Sequence, residues 1–175
     1  MRKLKIEELN RISVSEFHTM QKLPIVVVLD NIRSGLNVGS VFRTADAFGI
    51  KHIYLCGITA TPPHREILKS AIGATESVSW SYQSSIVDCL RALKEEGYLI
   101  TGIEHTSDSL SIFDFKPDKA SPRALVFGNE VEGLSNESLN LLDDCYEIPQ
   151  IGTKHSLNVS VCAGIVLWRC YEYLI

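Results

Sequence analysis

The sequence has no long apolar run and no paired arrangement of cysteines. Its 175 residues are 45% hydrophobic, yet no apolar stretch approaches the roughly 20 residues that a membrane-spanning helix needs. The first ten residues are charged and lack the apolar middle of a signal peptide. The cysteines form no C-x-x-C pair and no metal-finger spacing, so we expect reduced thiols, no bound metal and a cytoplasmic protein. The five are Cys56, Cys89, Cys145, Cys162 and Cys170.

The chain also lacks the excess of positive charge that is typical of nucleic-acid-binding proteins. Its formal net charge is −4. If RNA is the partner, the positive field must therefore be local, although each cluster of cations could equally be ordinary solvated surface. The two clusters are Arg2, Lys3, Lys5 and Arg11 at the N-terminus, and His64, Arg65 and Lys69 further along the chain.

Several common catalytic motifs are missing. There is no G-x-G-x-x-G fingerprint and no P-loop, so the sequence does not support binding of nucleotide phosphates through those motifs. There is no H-E-x-x-H zinc motif, no G-x-S-x-G nucleophile elbow and no paired Cys/His cluster. Metal-dependent hydrolysis and serine-hydrolase chemistry are therefore not expected.

Short apolar runs alternate with helical periods along the chain. Pro24–Asp30 is a β-branched run typical of a strand buried on both faces. From Val38 to Phe48 the apolar residues repeat at helical spacing, and Gly49 ends that helix. The alternation predicts an α/β fold, a mostly parallel sheet flanked by helices, in one domain over residues 21–175 after an arm or helix over residues 1–20. The other predicted elements are strands at His52–Cys56, Ser77–Tyr82, Tyr98–Ile103, Ala124–Phe127 and Tyr146–Ile148, helices at Pro63–Ser70, from Ser84 or Ser85 to Glu96, at Ser135–Cys145 and at Leu157–Leu174, and a loop over residues 105–122.

Three loops that contain glycine and asparagine follow predicted strands. They are Asp30–Ala45, Leu125–Ser135 and Glu147–Ser160. Open α/β sheets bind their ligands at the carboxyl ends of the strands. We therefore expect the functional site of this protein at these three loops.

Individual residues in the loops allow two interpretations. Arg43 lies among residues predicted to be buried, so its guanidinium must reach solvent, form a structural ion pair or bind an anion. Gly128 directly follows a strand, where a side chain would keep a ligand from the backbone. Glu130 by itself is more typical of a turn than of a site carboxylate. Ser156 and Asn158 by themselves are more typical of helix caps than of catalytic groups.

Taken together, the three loops resemble the signature motifs of the SpoU/TrmH methyltransferases, a branch of the SPOUT superfamily. The motifs occur in the expected order over about residues 24–170. Any one motif would be weak evidence for the family, but the three together are specific. The matching residues are Asn37, Gly39, Arg43, Thr44, Ala45 and Gly49 in the first motif, Leu125 to Ser135 in the second, and Ile148, Pro149, Gly152, Ser156, Leu157, Asn158, Val159, Ser160, Ala163 and Gly164 in the third.

The resemblance implies a fold and a cofactor. Proteins of this family have a deep C-terminal trefoil knot, whose crossing loops would lie here around residues 126–130, 148–152 and 156–158 and bind S-adenosylmethionine in a bent shape. They usually work as homodimers with a shared active site. Gln150 departs from the motif, which often has Met there. The implied cofactor-binding residues are Gly128, Ile148 and Leu157 through their backbone, Ile103 and Glu104 at the adenosine pocket, and also Asn129 and Gln150.

The resemblance also implies methyl transfer to a ribose 2′-hydroxyl of RNA, with Arg43 as general base assisted by an RNA phosphate. A guanidinium is effectively always protonated in proteins. Arg43 is therefore better suited to holding the phosphate bidentately and orienting the ribose, while the proton passes to phosphate or solvent. Asn37 is expected to place Arg43 or the ribose, and Glu130, Ser156 and Asn158 to form a supporting polar network.

Two other functions stay open from the sequence. The protein could be a SPOUT enzyme that methylates a base nitrogen, although the pair of Asn37 and Arg43 fits the ribose-methylating branch. It could also be a non-catalytic RNA-binding or ribosome-assembly factor that retains the cofactor pocket. Because little of the chain lies outside the predicted domain, we expect a compact acceptor such as a tRNA loop rather than rRNA.

Overall fold

The computed structural model describes all 175 residues apart from the side chain of Ile6. No helix in the part of the chain that it describes is long and apolar enough to cross a membrane. The strands are β1 (Leu23–Asp30), β2 (Ile50–Cys56), β3 (Trp80–Gln83), β4 (Leu99–Ile103), β5 (Leu110–Ser111), β6 (Arg123–Phe127) and β7 (Asp144–Glu147). The helices are α1 (Val14–Thr19), α2 (Gly35–Ala47), α3 (Arg65–Ala71), α4 (Ala74–Ser77), α5 (Ile86–Glu95), α6 (Asn136–Leu139) and α7 (Val159–Leu174), and 3-10 turns lie at Ile6–Leu9 and Ile112–Asp114.

The seven strands form one sheet in the order β3-β2-β1-β6-β4-β7-β5, and every pairing is parallel. Successive residues of β1 point to opposite faces: Val27 and Leu29 pack in the core beneath α2 and α7, and Val26 and Val28 in the core beneath α5. The predicted α/β architecture with a parallel sheet is therefore confirmed. The sheet brings the carboxyl ends of its strands to one edge.

Helix α2 begins earlier than its apolar period indicates. The Ser34 side chain accepts a hydrogen bond from the backbone N–H of Asn37, so the helix starts at Gly35, three residues before the helical period predicted from Val38. Arg43 thus lies on the third turn. Gly39 packs directly against α3. The helix ends where predicted, at Gly49, which has a φ of +63°.

The helix predicted over Ser135–Cys145 is wrong. Ser135 caps a helix as expected, but α6 ends after one turn at Leu139. Tertiary partners then draw the chain into the sheet: Asp143 accepts a hydrogen bond from the backbone N–H of Ile100 at 2.7 Å. Asp144 pairs with Arg123 at 2.6 Å and starts β7 beside β4.

Several smaller boundaries also differ from the sequence prediction. Ser77, predicted to begin a strand, ends α4 and hydrogen-bonds to Asp46, and β3 begins at Trp80. The predicted loop over residues 105–122 contains β5, an edge strand of two residues paired with β7. Helix α7 begins at Val159 rather than two residues earlier.

We expect Gly39→Ala to destabilise the protein. A Cβ at this position would meet the Ser70 side chain and the Ile67 carbonyl oxygen on α3. Such overpacking costs about 1–3 kcal/mol, which urea unfolding would measure. Ser40→Ala, on the half-exposed side of the same helix, is the control and should change the free energy of unfolding by less than about 0.5 kcal/mol. Equal effects of the two substitutions would contradict the tight packing of α2 on α3.

Asp30 should make stability depend on pH. Asp30 is 2% exposed, and burial raises the pKa of its carboxyl from 3.8 to about 6. Because the folded-state pKa is the higher one, folding is most favoured below the unfolded value, and stability falls as pH rises through about 6.

Asp30→Asn removes this titration and keeps the oxygen that accepts from the Asn31 side chain. Allowing for solvent near the strand end, the variant should gain about 2 kcal/mol relative to the parent between about pH 4 and pH 7. Chemical unfolding of both proteins at the two pH values measures this gain. Parallel changes in the two proteins would show that Asp30 is not the titrating group.

Candidate active site

A cavity of about 430 Å³ opens beyond the carboxyl ends of β4, β6 and β7. This volume lies within the range of small-molecule sites. Two of the residues predicted for the site, Asn37 and Arg43, do not line it. The other ten do, and they are Ile103, Glu104, Gly128, Asn129, Glu130, Ile148, Gln150, Ser156, Leu157 and Asn158.

One side of the cavity is a tight turn after β6. The backbones of Asn129 and Gly133 exchange two hydrogen bonds, at 3.1 and 2.9 Å. The Asn129 side chain accepts from the backbone N–H of Val131 and donates to the Asn31 carbonyl, so it fastens this turn to the loop after β1. A Cβ on Gly128 would collide with the backbone of Gly133. The sequence explained Gly128 by the approach of a ligand to the backbone. The structure adds a second reason, because the turn itself leaves no room for a side chain at this position.

Glu104 forms the neighbouring wall. Its carboxylate accepts from the backbone N–H groups of Leu134 and of His105 and packs on Gly133, where a Cβ would displace it. Cys162 of α7 also lines the cavity. Burial and the nearby charge of Glu104 raise the pKa of the Cys162 thiol to about 12, which leaves it neutral and unsuited to act as a nucleophile.

A hydrogen-bonded network joins the three motif loops at one end of the cavity. The Glu130 carboxylate accepts from the Asn37 side-chain amide at 3.1 Å and faces the backbone N–H of Ser34 at 3.4 Å. The Asn37 side-chain oxygen accepts from the Asn158 amide at 3.1 Å. Asn158 in turn caps α7 by accepting from the backbone N–H of Ser160. Asn37 therefore contributes to the site through Glu130 and Asn158.

Arg43 and Ser156 have no partner of this kind. Arg43 is exposed on α2 and, among the residues that the structure describes, makes no hydrogen bond or ion pair. Ser156 is exposed at the cavity rim and is not the cap of α7, which is Asn158. The interpretation as a helix cap thus holds for Asn158 and fails for Ser156.

At the opposite end of the cavity, Gln150 lies beside His105 and Glu147, two residues that the sequence did not single out. His105 Nδ1 lies 3.2 Å from Glu147 Oε2, and His105 Nε2 lies 2.9 Å from the Gln150 amide nitrogen. Hydrogen bonds from Ser109 and from His105 lower the pKa of Glu147. The only signal in the sequence was position, because His105 follows the predicted strand Tyr98–Ile103 and Glu147 begins the third motif loop. A second cavity of about 400 Å³ adjoins this end and shares these side chains.

The lining combines apolar surface with negative charge. Carboxylates of Glu104, Glu130 and Glu132 face the cavity, and the described residues contain no cluster of His, Cys, Asp or Glu that could hold a metal ion. Such a site suits a molecule that has a flat apolar part and a positive charge. The apolar lining comes from Ile103, Phe127, Ile148, Leu157 and Val159.

Comparison with known proteins identifies the family of this chain. The profile of the SpoU rRNA Methylase family matches residues 24–168. The 23S rRNA (guanosine-2′-O-)-methyltransferase RlmB of Neisseria meningitidis is 35% identical over 144 residues, which cover 82% of this chain and 56% of that protein. RlmB of Vibrio parahaemolyticus is 29% identical over 163 residues, covering 93% and 65%. The chain thus spans about half to two thirds of the length of these relatives.

Solved structures share the fold. An AdoMet-bound rRNA methyltransferase from Sinorhizobium meliloti has a TM-score of 0.82 at 29% identity and covers 94% of this chain and 62% of that one. The TrmH/SpoU tRNA modifying enzyme of A. aeolicus has a TM-score of 0.81 at 26% identity, with coverages of 91% and 80%. The family profile matches most of this chain, and hydrogen bonds of Asn37 join the three motif loops beside one cavity, so this chain belongs to the SpoU rRNA methylase family.

Proposed function

We propose that the protein is an S-adenosylmethionine-dependent RNA 2′-O-methyltransferase. The observation that carries this proposal is the network of Glu130, Asn37 and Asn158, which joins all three motif loops beside a cavity of ligand size. The names of the relatives support the reaction, and the AdoMet-bound neighbour supports the cofactor.

The cavity fits this cofactor in volume and in chemistry. The apolar side chains of Ile148 and Leu157 suit the faces of an adenine ring, and the carboxylates of Glu104 and Glu130 favour the positive sulfonium and ammonium groups. When bound, S-adenosylmethionine supplies a methyl group on a positively charged sulfur. The fold of the family also supports the proposal that the loops around residues 126–130, 148–152 and 156–158 form a trefoil knot.

The chain's own residues orient the acceptor. Both ends of the Asn37 amide are used within the protein, so Asn37 fixes the Glu130 carboxylate and Asn158 at the cavity rim. Ser156 leaves an exposed hydroxyl at that rim, where it can hydrogen-bond a ribose. Arg43 holds an RNA phosphate bidentately, and the ribose proton leaves to phosphate or solvent, because a guanidinium does not accept it.

The position of Arg43 favours a homodimer. Its side chain does not line the cavity of its own chain, so we assign the role to Arg43 of a second copy. Helix α2 packs against α7, on which Val161, Ile165 and Trp168 form an exposed apolar stripe. Exposed apolar surface of this kind is typical of interfaces between subunits.

The RNA acceptor is proposed only as a class. Relatives are named for 23S rRNA, and a structural neighbour for tRNA, so the preference for tRNA stays a prediction. Mapping of 2′-O-methyl sites in cells with and without the gene identifies the acceptor. A methyl group found on a base nitrogen would instead support a SPOUT enzyme that methylates bases. Failure of S-adenosylmethionine and S-adenosylhomocysteine to bind at high micromolar concentration would support a non-catalytic factor.

Arg43→Ala should lower kcat for RNA methylation by about 100-fold or more while the cofactor Kd stays within about threefold, because Arg43 orients the RNA and does not contact the cavity. Transfer of labelled methyl groups and calorimetry measure the two quantities. Arg43→Lys, which keeps the charge and loses the bidentate geometry, should be intermediate. Full activity of Arg43→Ala would remove this residue from the mechanism.

Subunit mixing tests whether Arg43 acts across the dimer. Ser156→Trp should block the cavity rim without disturbing the core, and Arg43→Ala leaves the cavity open. If each variant is inactive alone, their mixture should regain about one quarter of the parent activity, because half of the dimers are mixed and each has one intact site. No recovery, with mixed dimers demonstrated by light scattering and affinity tags, would place Arg43 at the cavity of its own chain.

A further inference from the structure

The cavity end away from Glu130 contains an ordered chain of polar groups that the motifs do not account for. The Ser109 hydroxyl donates to Glu147 Oε2 at 2.7 Å, and the same oxygen lies 3.2 Å from His105 Nδ1. His105 Nε2 lies 2.9 Å from the side-chain nitrogen of Gln150. We call Ser109, Glu147, His105 and Gln150 the Gln150 relay.

The contacts within the Gln150 relay are consistent with one arrangement of donors and acceptors. With the Gln150 amide nitrogen, which only donates, 2.9 Å from His105 Nε2, the neutral imidazole that satisfies both contacts carries its proton on Nδ1, donates it to Glu147 and accepts from Gln150 at Nε2. The Ser109 hydroxyl donates to the same carboxylate. In this tautomer, turning the Gln150 amide over would place its oxygen against the lone pair of His105 Nε2. Its Oε1 acceptor and its second N–H stay available.

The Gln150 side chain is half-buried and lines the cavity together with Ile148 of the same loop and Leu157. Because the Glu130 network lies at the end that we propose for the acceptor, we place the base of a bound cofactor at the opposite end, beside the Gln150 relay. The edge of adenine offers an amino donor next to a ring-nitrogen acceptor, and a Gln or Asn amide complements this edge with two hydrogen bonds.

We propose that the Gln150 side chain recognises the adenine edge of the cofactor, and that His105 and Glu147 are positioning residues that fix the orientation of its amide. This inference rests on the proposed function. In that orientation Oε1 accepts from the 6-amino group of adenine and the free N–H donates to the neighbouring ring nitrogen N1. The motif that the third loop resembles often has Met here, which offers neither group, so recognition by a side chain distinguishes this chain from that pattern.

The test compares S-adenosylhomocysteine with S-inosylhomocysteine by calorimetry on the full chain. The inosine analogue replaces the amino donor with an oxygen and carries a proton on the ring nitrogen, so it opposes both groups of a fixed amide. The parent protein should prefer the adenine ligand by about 5- to 150-fold. In Gln150→Met the preference should fall at least about fivefold, mainly through weaker binding of the adenine ligand.

His105→Phe separates positioning from a merely structural role. It leaves Gln150 in place but removes the acceptor that fixes its amide. The amide is then free to turn over, so the inosine analogue should bind more tightly while the adenine ligand changes little. A general disturbance of the cavity would weaken both ligands equally. Ser107→Ala, exposed in the same loop and outside the cavity, is the control and should leave the ratio unchanged.

The outcomes separate the two proposals. If S-adenosylhomocysteine binds the parent and the preference is the same in Gln150→Met, recognition by Gln150 is wrong and the proposed function stands. If His105→Phe weakens both ligands by the same factor, the positioning role of His105 is wrong. If the parent binds neither S-adenosylmethionine nor S-adenosylhomocysteine, the proposed function and this inference are overturned together.

Discussion

The two side-chain hydrogen bonds of Asn37 hold the site together. One reaches Glu130 in the loop after β6 and the other reaches Asn158 at the start of α7, so three loops far apart in sequence share one amide. A side-chain amide has a donor end and an acceptor end, and here each end finds the complementary group. This explains why the position takes an amide: a carboxylate would repel Glu130, and an apolar residue would leave both partners unpaired.

The turn after β6 shows how the backbone supports that network. Gly128 allows the strand end to lie directly on the backbone of Gly133, and the Asn129 side chain fastens the turn to the loop after β1. The turn thus presents Glu130 at the cavity rim and leaves Glu104 to satisfy the next backbone N–H group, that of Leu134. A rigid backbone of this kind holds polar groups in place before a ligand arrives, which limits the entropy lost on binding.

The acidic composition can be understood when the cavity lining is considered apart from the outer surface of the protein. The carboxylates of Glu104, Glu130 and Glu132 line the cavity, where they suit a positively charged cofactor. Arg43 lies outside it on α2. At the N-terminus, the bidentate ion pair between Arg2 and Glu8 offsets one of the cations that the sequence offered for RNA. A net negative charge is therefore compatible with an RNA substrate that is held at a few positions.

The sequence determined the features that depend on local periodicity and on motif spacing. The alternation of β-branched runs with helical periods predicted the parallel α/β sheet, and the family resemblance predicted ten residues that line one cavity. The tertiary structure decided what depends on distant partners. Asp143 and Asp144 end the helix predicted through Cys145, because Ile100, Lys94 and Arg123 bind them. Likewise, Glu147 and Gln150 lie 42 and 45 residues after His105 in the sequence. They meet His105 only because β4 and β7 are neighbours in the sheet.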